Sequence, residues 1–363
     1  MISPVSRLQQ LSGSNNFSMK KIYSILFFCV LLTFTCAQNK KYLIEELSLP
    51  DPVNSISYSG YNRIRLQDLR TDPDDFGIVK KGLSDRKAKV KFSPSLEDQL
   101  SQMFDKGISK STAKDQELLF QLRDMNYLEV TIDIVQYGYF KYRGVLFGGK
   151  ENQYQLLKKI DTTLVVFELD VTKQLKEQSL DYIRKTIFDA ASSKPVDNRI
   201  YTIEDISNFD KIAKSQMPLY VNSKLTDGIY RNYSSFTQQI PDKPINEIEV
   251  NLGMINKVNY LDDNGKKKNA KSDSYAVIYQ GKPYVLFEDV FYPMRKATDD
   301  YYFIARLNTK PIGEIQLTGT LIGGILGGAV GGLIAKGQTK LYEWQLDYFN
   351  GKYQIIREIK PQK

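Results

Sequence analysis

The sequence predicts an α+β chain: an N-terminal antiparallel meander with helices on one face, then a mostly-β region interrupted by a glycine-rich helix or helical hairpin. Three observations carry this. Short runs of alternating apolar and polar residues recur through most of the chain and end at Gly, Asn or Pro, as strands do. Two stretches instead carry apolar residues at helical spacing. Finally, Ile315 to Ala335 is free of charge, with glycines at 319, 323, 327 and 331 and a second row at 324, 328 and 332.

Residues 1–37 read as an export signal. Met19-Lys20-Lys21 precede Ile22 to Phe34, thirteen residues without a charge, and Thr35-Cys36-Ala37 supplies a small-residue cleavage site before Gln38. Met19 is then the true start. Two fates of the junction stay open: cleavage after Ala37, or lipidation of Cys36 behind a poor lipid-attachment box. Either way the chain is expected outside the cytoplasm, in the periplasm or at the outer membrane.

Residues 38–212 are expected as the α+β domain. After a leader with Pro50 and Pro52, Asn62 to Leu69 reads as a strand. Asp72, Asp74 and Asp75 follow in a turn whose spacing departs from the calcium-loop pattern. Ser93-Pro94 is expected to open a helix with the core face Leu96, Leu100, Met103 and Phe104, stopped by Gly107. Strands are expected at Leu128–Tyr137, Tyr139–Phe147 and Thr162–Asp170, punctuated by Gly138, Gly144 and Gly148-Gly149. A helix over Lys173–Ala191 carries Leu180, Ile183 and Ile187. Thr202-Ile-Glu-Asp205 has the form of a capping box for a short helix.

Residues 215–363 are expected as the second, mostly-β domain. It opens with an aromatic stretch, Asp227 to Phe236, whose Tyr230, Tyr233 and Phe236 line either a core or a ligand groove. Strands follow around Val258–Leu261, Tyr275–Tyr279, Pro283–Phe287, Val290–Arg295 and Tyr301–Leu307. A last hairpin is signalled by Asn350-Gly351 between alternating runs.

The glycine element, at about 312–336, sits before that hairpin. A four-residue step advances a helix by one turn plus about 40°, so the glycines form a groove beside an apolar ridge. Seven interior glycines disfavour a helix by roughly 6–7 kcal/mol relative to alanine, which close approach of a second surface offsets. The expected contact residues are Gly319, Gly323, Gly324, Gly327, Gly328, Gly331 and Gly332. Their partner is a membrane, another copy, an envelope protein, or the chain's own sheet.

Composition excludes several chemistries. The chain has no histidine, which removes Ser-His-Asp and Cys-His catalysis and His-ligated zinc. Its only cysteines, Cys29 and Cys36, lie in the N-terminal apolar segment, so no thiol remains downstream. No cofactor or metal is expected. The net charge is +8, and three of those charges (Arg7, Lys20, Lys21) belong to the export segment. The remainder is too dilute to point to nucleic acid.

Residues 215–363, from Asp227-Gly-Ile-Tyr-Arg-Asn-Tyr through the Gly-Gly repeats to Leu346-Asp-Tyr-Phe-Asn-Gly, resemble a group of uncharacterised exported proteins of Bacteroidetes-type bacteria. The repeats also resemble the glycine-zipper segments of outer-membrane lipoproteins. Neither resemblance implies an activity. The expected function is a non-enzymatic binding or scaffolding module of the cell envelope. The alternatives are a carboxylate-only hydrolase of envelope glycans, with Asp133, Glu168 and Asp170 as candidates, and an accessory subunit of an export system.

Overall fold

The computed structural model describes residues 42–57, 59–82, 86–132, 135–167, 171–308 and 339–360. The described chain is a mixed, sheet-rich α and β structure, with three sheets and six α-helices among the described residues.

The first sheet is built from β1 (Leu43–Leu47), β2 (Arg63–Asp68), β3 (Gly77–Lys81), β4 (Arg86–Phe92), β5 (Glu117–Ile132), β6 (Val135–Lys150) and β7 (Gln153–Val166). Its order is β1-β4-β3-β5-β6-β7, with β2 also on β5. Strands β5, β6 and β7 run antiparallel in succession, whereas β2 and β3 each lie parallel to β5. The sheet is therefore mixed, not antiparallel throughout as expected.

The break expected at Gly138 is absent, and β6 passes straight through it. A Cβ there would come within 2.6 Å of Val171 Cγ1, so this glycine makes room for a helix and does not turn the chain.

Helix α1 (Leu96–Gly107) begins two residues later than expected. Ser95 is its N-cap, accepting from the Asp98 N–H at 3.1 Å, and Pro94 lies outside the helix. Helix α2 (Val171–Ala191) buries Val171, Leu175, Ser179, Ile183 and Ile187 at every fourth position. That stripe passes through Ser179 and not Leu180, because the Ser179 hydroxyl meets the buried Tyr127 hydroxyl at 2.9 Å. Helices α1 and α2 meet through Phe104 and Phe188. Helix α2 lies over β6 and β7, where Thr162 and Tyr182 pair their hydroxyls at 2.7 Å.

The opposite face of β5–β7 packs on elements from the later half of the chain. Three short helices come first: α3 (Ile203–Ser207), α4 (Phe209–Ser215) and α5 (Pro218–Val221). The capping box at Thr202 and Asp205 is formed as expected. Then come β8 (Gly228–Tyr230), α6 (Tyr233–Gln238), β9 (Glu247–Asn251), β10 (Met254–Leu261), β11 (Lys267–Asn269), β12 (Ala276–Tyr279), β13 (Lys282–Phe287) and β14 (Val290–Pro293). The second sheet orders these strands β11-β10-β14-β13-β12-β8, with β9 on β10. The third sheet is β15 (Arg295–Ala297), β16 (Asp300–Asn308), β17 (Thr339–Leu346) and β18 (Tyr353–Glu358), antiparallel in chain order.

One core joins Leu119, Tyr139 and Phe147 of the first sheet to Phe209, Tyr230, Phe236, Phe303, Trp344 and Ile355. Segments 38–212 and 215–363, expected as two domains, both contribute to it, and from Ile44 on the chain forms one compact unit. A smaller core of Ile229, Ile255, Val258, Tyr260, Val277 and Phe291 lies on the other side of the second sheet.

Candidate functional site

The face of the first sheet turned toward the later elements carries a row of charges where an apolar interior would be simplest. Side chains alternate along a strand, so Leu119, Gln121 and Arg123 of β5 point one way. A β-bulge between Leu122 and Asp124 inserts one extra residue, and Arg123 and Asp124 consequently line the same cleft. On the neighbouring strand β6, Lys141 and Arg143 line it too. The cleft, of about 400 Å³, is completed by Asp210 and Lys214 of α4, Asp300 of β16, and Asp347 and Tyr348 of the β17–β18 turn.

Each cation of this row has a carboxylate. Arg143 holds Asp347 through two bonds of 2.6 Å, with side chains only 11% and 5% exposed. Burial works against the Arg143 charge, but Asp347 outweighs it and holds the guanidinium above its usual pKa. Asp347 also accepts from Gln354 Nε2 at 2.6 Å and from the Phe349 N–H at 3.0 Å. Lys141 pairs with Asp124 at 2.8 Å and Lys214 with Asp300 at 2.5 Å. Arg123 pairs with Asp210, which also accepts from the Tyr348 hydroxyl at 2.6 Å. The Phe349 ring covers Arg143, with its centroid 4.4 Å from the guanidinium carbon.

Glycoside hydrolysis needs two carboxyls facing one bond with space for substrate between them. Here Asp124, Asp210, Asp300 and Asp347 are each engaged by an arginine or lysine. What the arrangement does chemically is fasten the β17–β18 hairpin to the first sheet.

The aromatic stretch serves the same fastening. Tyr230 and Phe236 are fully buried, their rings 5.4 Å apart, and Tyr233 packs on Tyr275 at 5.8 Å. Tyr233 donates to the Tyr348 carbonyl at 2.7 Å and Tyr275 to the Gly351 carbonyl at 2.6 Å. Burial pushes both hydroxyls above their ordinary pKa. The ligand-groove alternative is thus corrected: these rings are core, closed over the hairpin turn.

That turn is longer than the two residues expected. Leu346 pairs with Tyr353, the Asp347 N–H bonds the Lys352 carbonyl at 2.8 Å, and Gly351 closes the loop at φ +76°. A Cβ on Gly351 would come within 2.3 Å of Tyr233 Cγ.

Asp72, Asp74 and Asp75 lie in a turn, as their spacing indicates. Asp72 accepts from the Asp74 N–H at 3.0 Å and Asp75 from the Gly77 N–H at 2.8 Å, so these carboxylates cap their own turn. No group of three or more metal-ligating side chains placed to hold a metal ion occurs among the described residues.

Other sequence candidates lie outside the described residues: Gly319, Gly323, Gly324, Gly327, Gly328, Gly331 and Gly332; Cys36; and Asp133, Glu168 and Asp170. The Arg143–Asp347 pair was missed by sequence reasoning. Its one local signal is Lys141 and Arg143 at inward positions of a stretch, Tyr137 to Gly149, otherwise made of aromatic, aliphatic and glycine residues.

No protein-family model matches the sequence, and no curated protein matches it. Among solved structures, protein XCC0632 from Xanthomonas campestris, of the DUF330 family, is similar at 11% identity and a TM-score of 0.26, over 40% of this chain and 92% of its own. A likeness of that degree carries no functional argument.

Proposed function

We propose that this chain is a non-enzymatic protein of the cell envelope, a binding or scaffolding module that presents its glycine-rich segment to a membrane or a partner. One observation carries the reading. Strands β16 and β17 pair in unbroken register from Tyr302 opposite Gln345 to Asn308 opposite Thr339, so the two residues that flank 309–338 are neighbours about 5 Å apart.

A single crossing of a bilayer would leave those ends on opposite sides. One straight helix over Ile315–Ala335 would be about 32 Å long. The nine or so flanking residues, fully extended, reach back only about 30 Å. A helix out and a helix back, with the two glycine rows allowing close contact, meets the constraint more easily. In this reading the segment is a helical hairpin inserted in a mostly-β C-terminal region, entering a membrane or partner from one side.

The resemblance of the repeats to glycine-zipper outer-membrane lipoproteins points the same way, as do the export signal at residues 1–37 and the alternative lipid site Cys36. Among the described residues no helix is long and apolar enough to cross a membrane. The test is fractionation of cells expressing the full chain, followed by a carbonate wash. Retention in the membrane pellet supports insertion, and quantitative release of the mature chain refutes it.

A further inference from the structure

Against Phe209 lies a second pocket, of about 380 Å³. Its apolar lining is Leu156 of β7, Tyr201, and Phe209, Ile212 and Ala213 of α4, with the exposed Val196, and Asp197 and Gln216 line it too. The wall from 196 to 201 is fixed against β7 by backbone bonds: the Val196 N–H to the Leu156 carbonyl at 2.8 Å, and a reciprocal pair between Tyr154 and Tyr201 at 2.9 and 2.7 Å. The Phe209 ring is held by Phe147 at 5.4 Å and Tyr201 at 5.9 Å. These contacts fix the apolar part of the wall.

Lys159 of β7 lines this pocket. Its ammonium lies 5.3 Å from the Phe209 centroid and 5.6 Å from that of Phe349. Arg123, Lys141, Arg143 and Lys214 on the same face all have carboxylate partners. Lys159 pairs with no carboxylate among the described residues. Burial and the charge of Arg123 lower its pKa, and Asp197 opposes them from a distance. The Asp197 carboxylate accepts the Arg199 N–H at 3.0 Å, within its own loop.

A mostly apolar pocket with a few polar groups at its edge is the usual form of a small-molecule site. Here those groups are Lys159, Asp197 and Gln216. Lys159 is the one without a bonded counter-charge among the described residues, since Asp197 is taken up within its own loop. We propose that this pocket binds a small monocarboxylate with an apolar body, an aryl- or medium-chain alkyl-carboxylate, with Lys159 as its counter-ion and Leu156, Tyr201, Phe209 and Ile212 around the body. This site is independent of the glycine segment.

Isothermal titration of the full chain with octanoate and with octanol tests it. Octanoate binds saturably, and Lys159→Gln weakens it at least roughly ten-fold while leaving octanol unchanged. Lys159→Arg retains most of the octanoate affinity. Ala213→Trp fills the pocket and abolishes binding of both. Because Lys159 is exposed along part of its length, its substitution leaves the core intact and the comparison readable. Equal octanoate affinity in the wild type and Lys159→Gln, or no saturable octanoate binding, overturns the proposal.

Discussion

Replacing Asp347 by alanine should be among the most damaging single changes in the protein. The substitution strands Arg143, whose side chain is 11% exposed, without the two 2.6 Å bonds that compensate its burial. It also removes the acceptor of Gln354 Nε2 and of the Phe349 N–H. Removing one partner of a buried ion pair costs about 3–5 kcal/mol, because a charge is left in a poor solvent. For a chain of this size that is a fall in melting temperature of roughly 4–7 °C.

Urea unfolding of the wild type, Asp347→Ala, and the double variant Arg143→Met/Asp347→Leu measures it. The double variant, which removes both charges and refills the space, should be more stable than Asp347→Ala. A loss below about 1 kcal/mol in the single variant would place the pair with exposed surface bridges. A double variant worse than the single would show that the burial argument fails.

Gly351→Ala should destabilise by about 2 kcal/mol or more, combining a left-handed backbone with overpacking against Tyr233. Gly253→Ala, at φ +79° but with open space beyond it, should lose only about 1 kcal/mol in the same denaturation assay. Glu247 is held down to a pKa of about 2 by Lys267, Asn259 and Lys257. Because the folded value lies below the unfolded one, its contribution is present above about pH 4.5 and disappears as pH falls through about 2. A carboxyl-carbon NMR titration should show that midpoint, and Lys267→Met should raise it. Excising residues 310–337 and closing β16 to β17 with a short turn should leave near-ultraviolet circular dichroism unchanged and release the protein from membranes.

What the sequence made legible was local. Alternation located most strands, helical spacing located α1 and α2, and Thr202 with Asp205 signalled a cap that is present. Glycine was the main source of error. Gly138 and Gly144 read as punctuation, yet both lie inside β6, where their missing side chains admit Val171 and Phe120. The two signals, a turn and a close approach, look the same in one dimension. The parallel pairing of β2 and β3 with β5 had no local sign, since it depends on which strands meet across long intervals. The ion-pair cleft was hidden for the same reason: Arg143 and Asp347 are 204 residues apart, and nothing around Asp347 distinguishes it from an ordinary turn aspartate.

The extra residue at Arg123 has a further consequence for how this gene can change. Upstream of it the odd-numbered positions of β5 look toward the later half of the chain; downstream the even-numbered ones do, as Leu128 and Val130 show by joining the shared core. Losing that single codon would straighten the ladder and keep both apolar rows where they are. Losing one beyond it, near Tyr127, would turn part of the strand inside out unless the pairing slipped to compensate. Length variation in β5 is therefore tolerable at one address, and sequences that differ in length there should do so at the bulge.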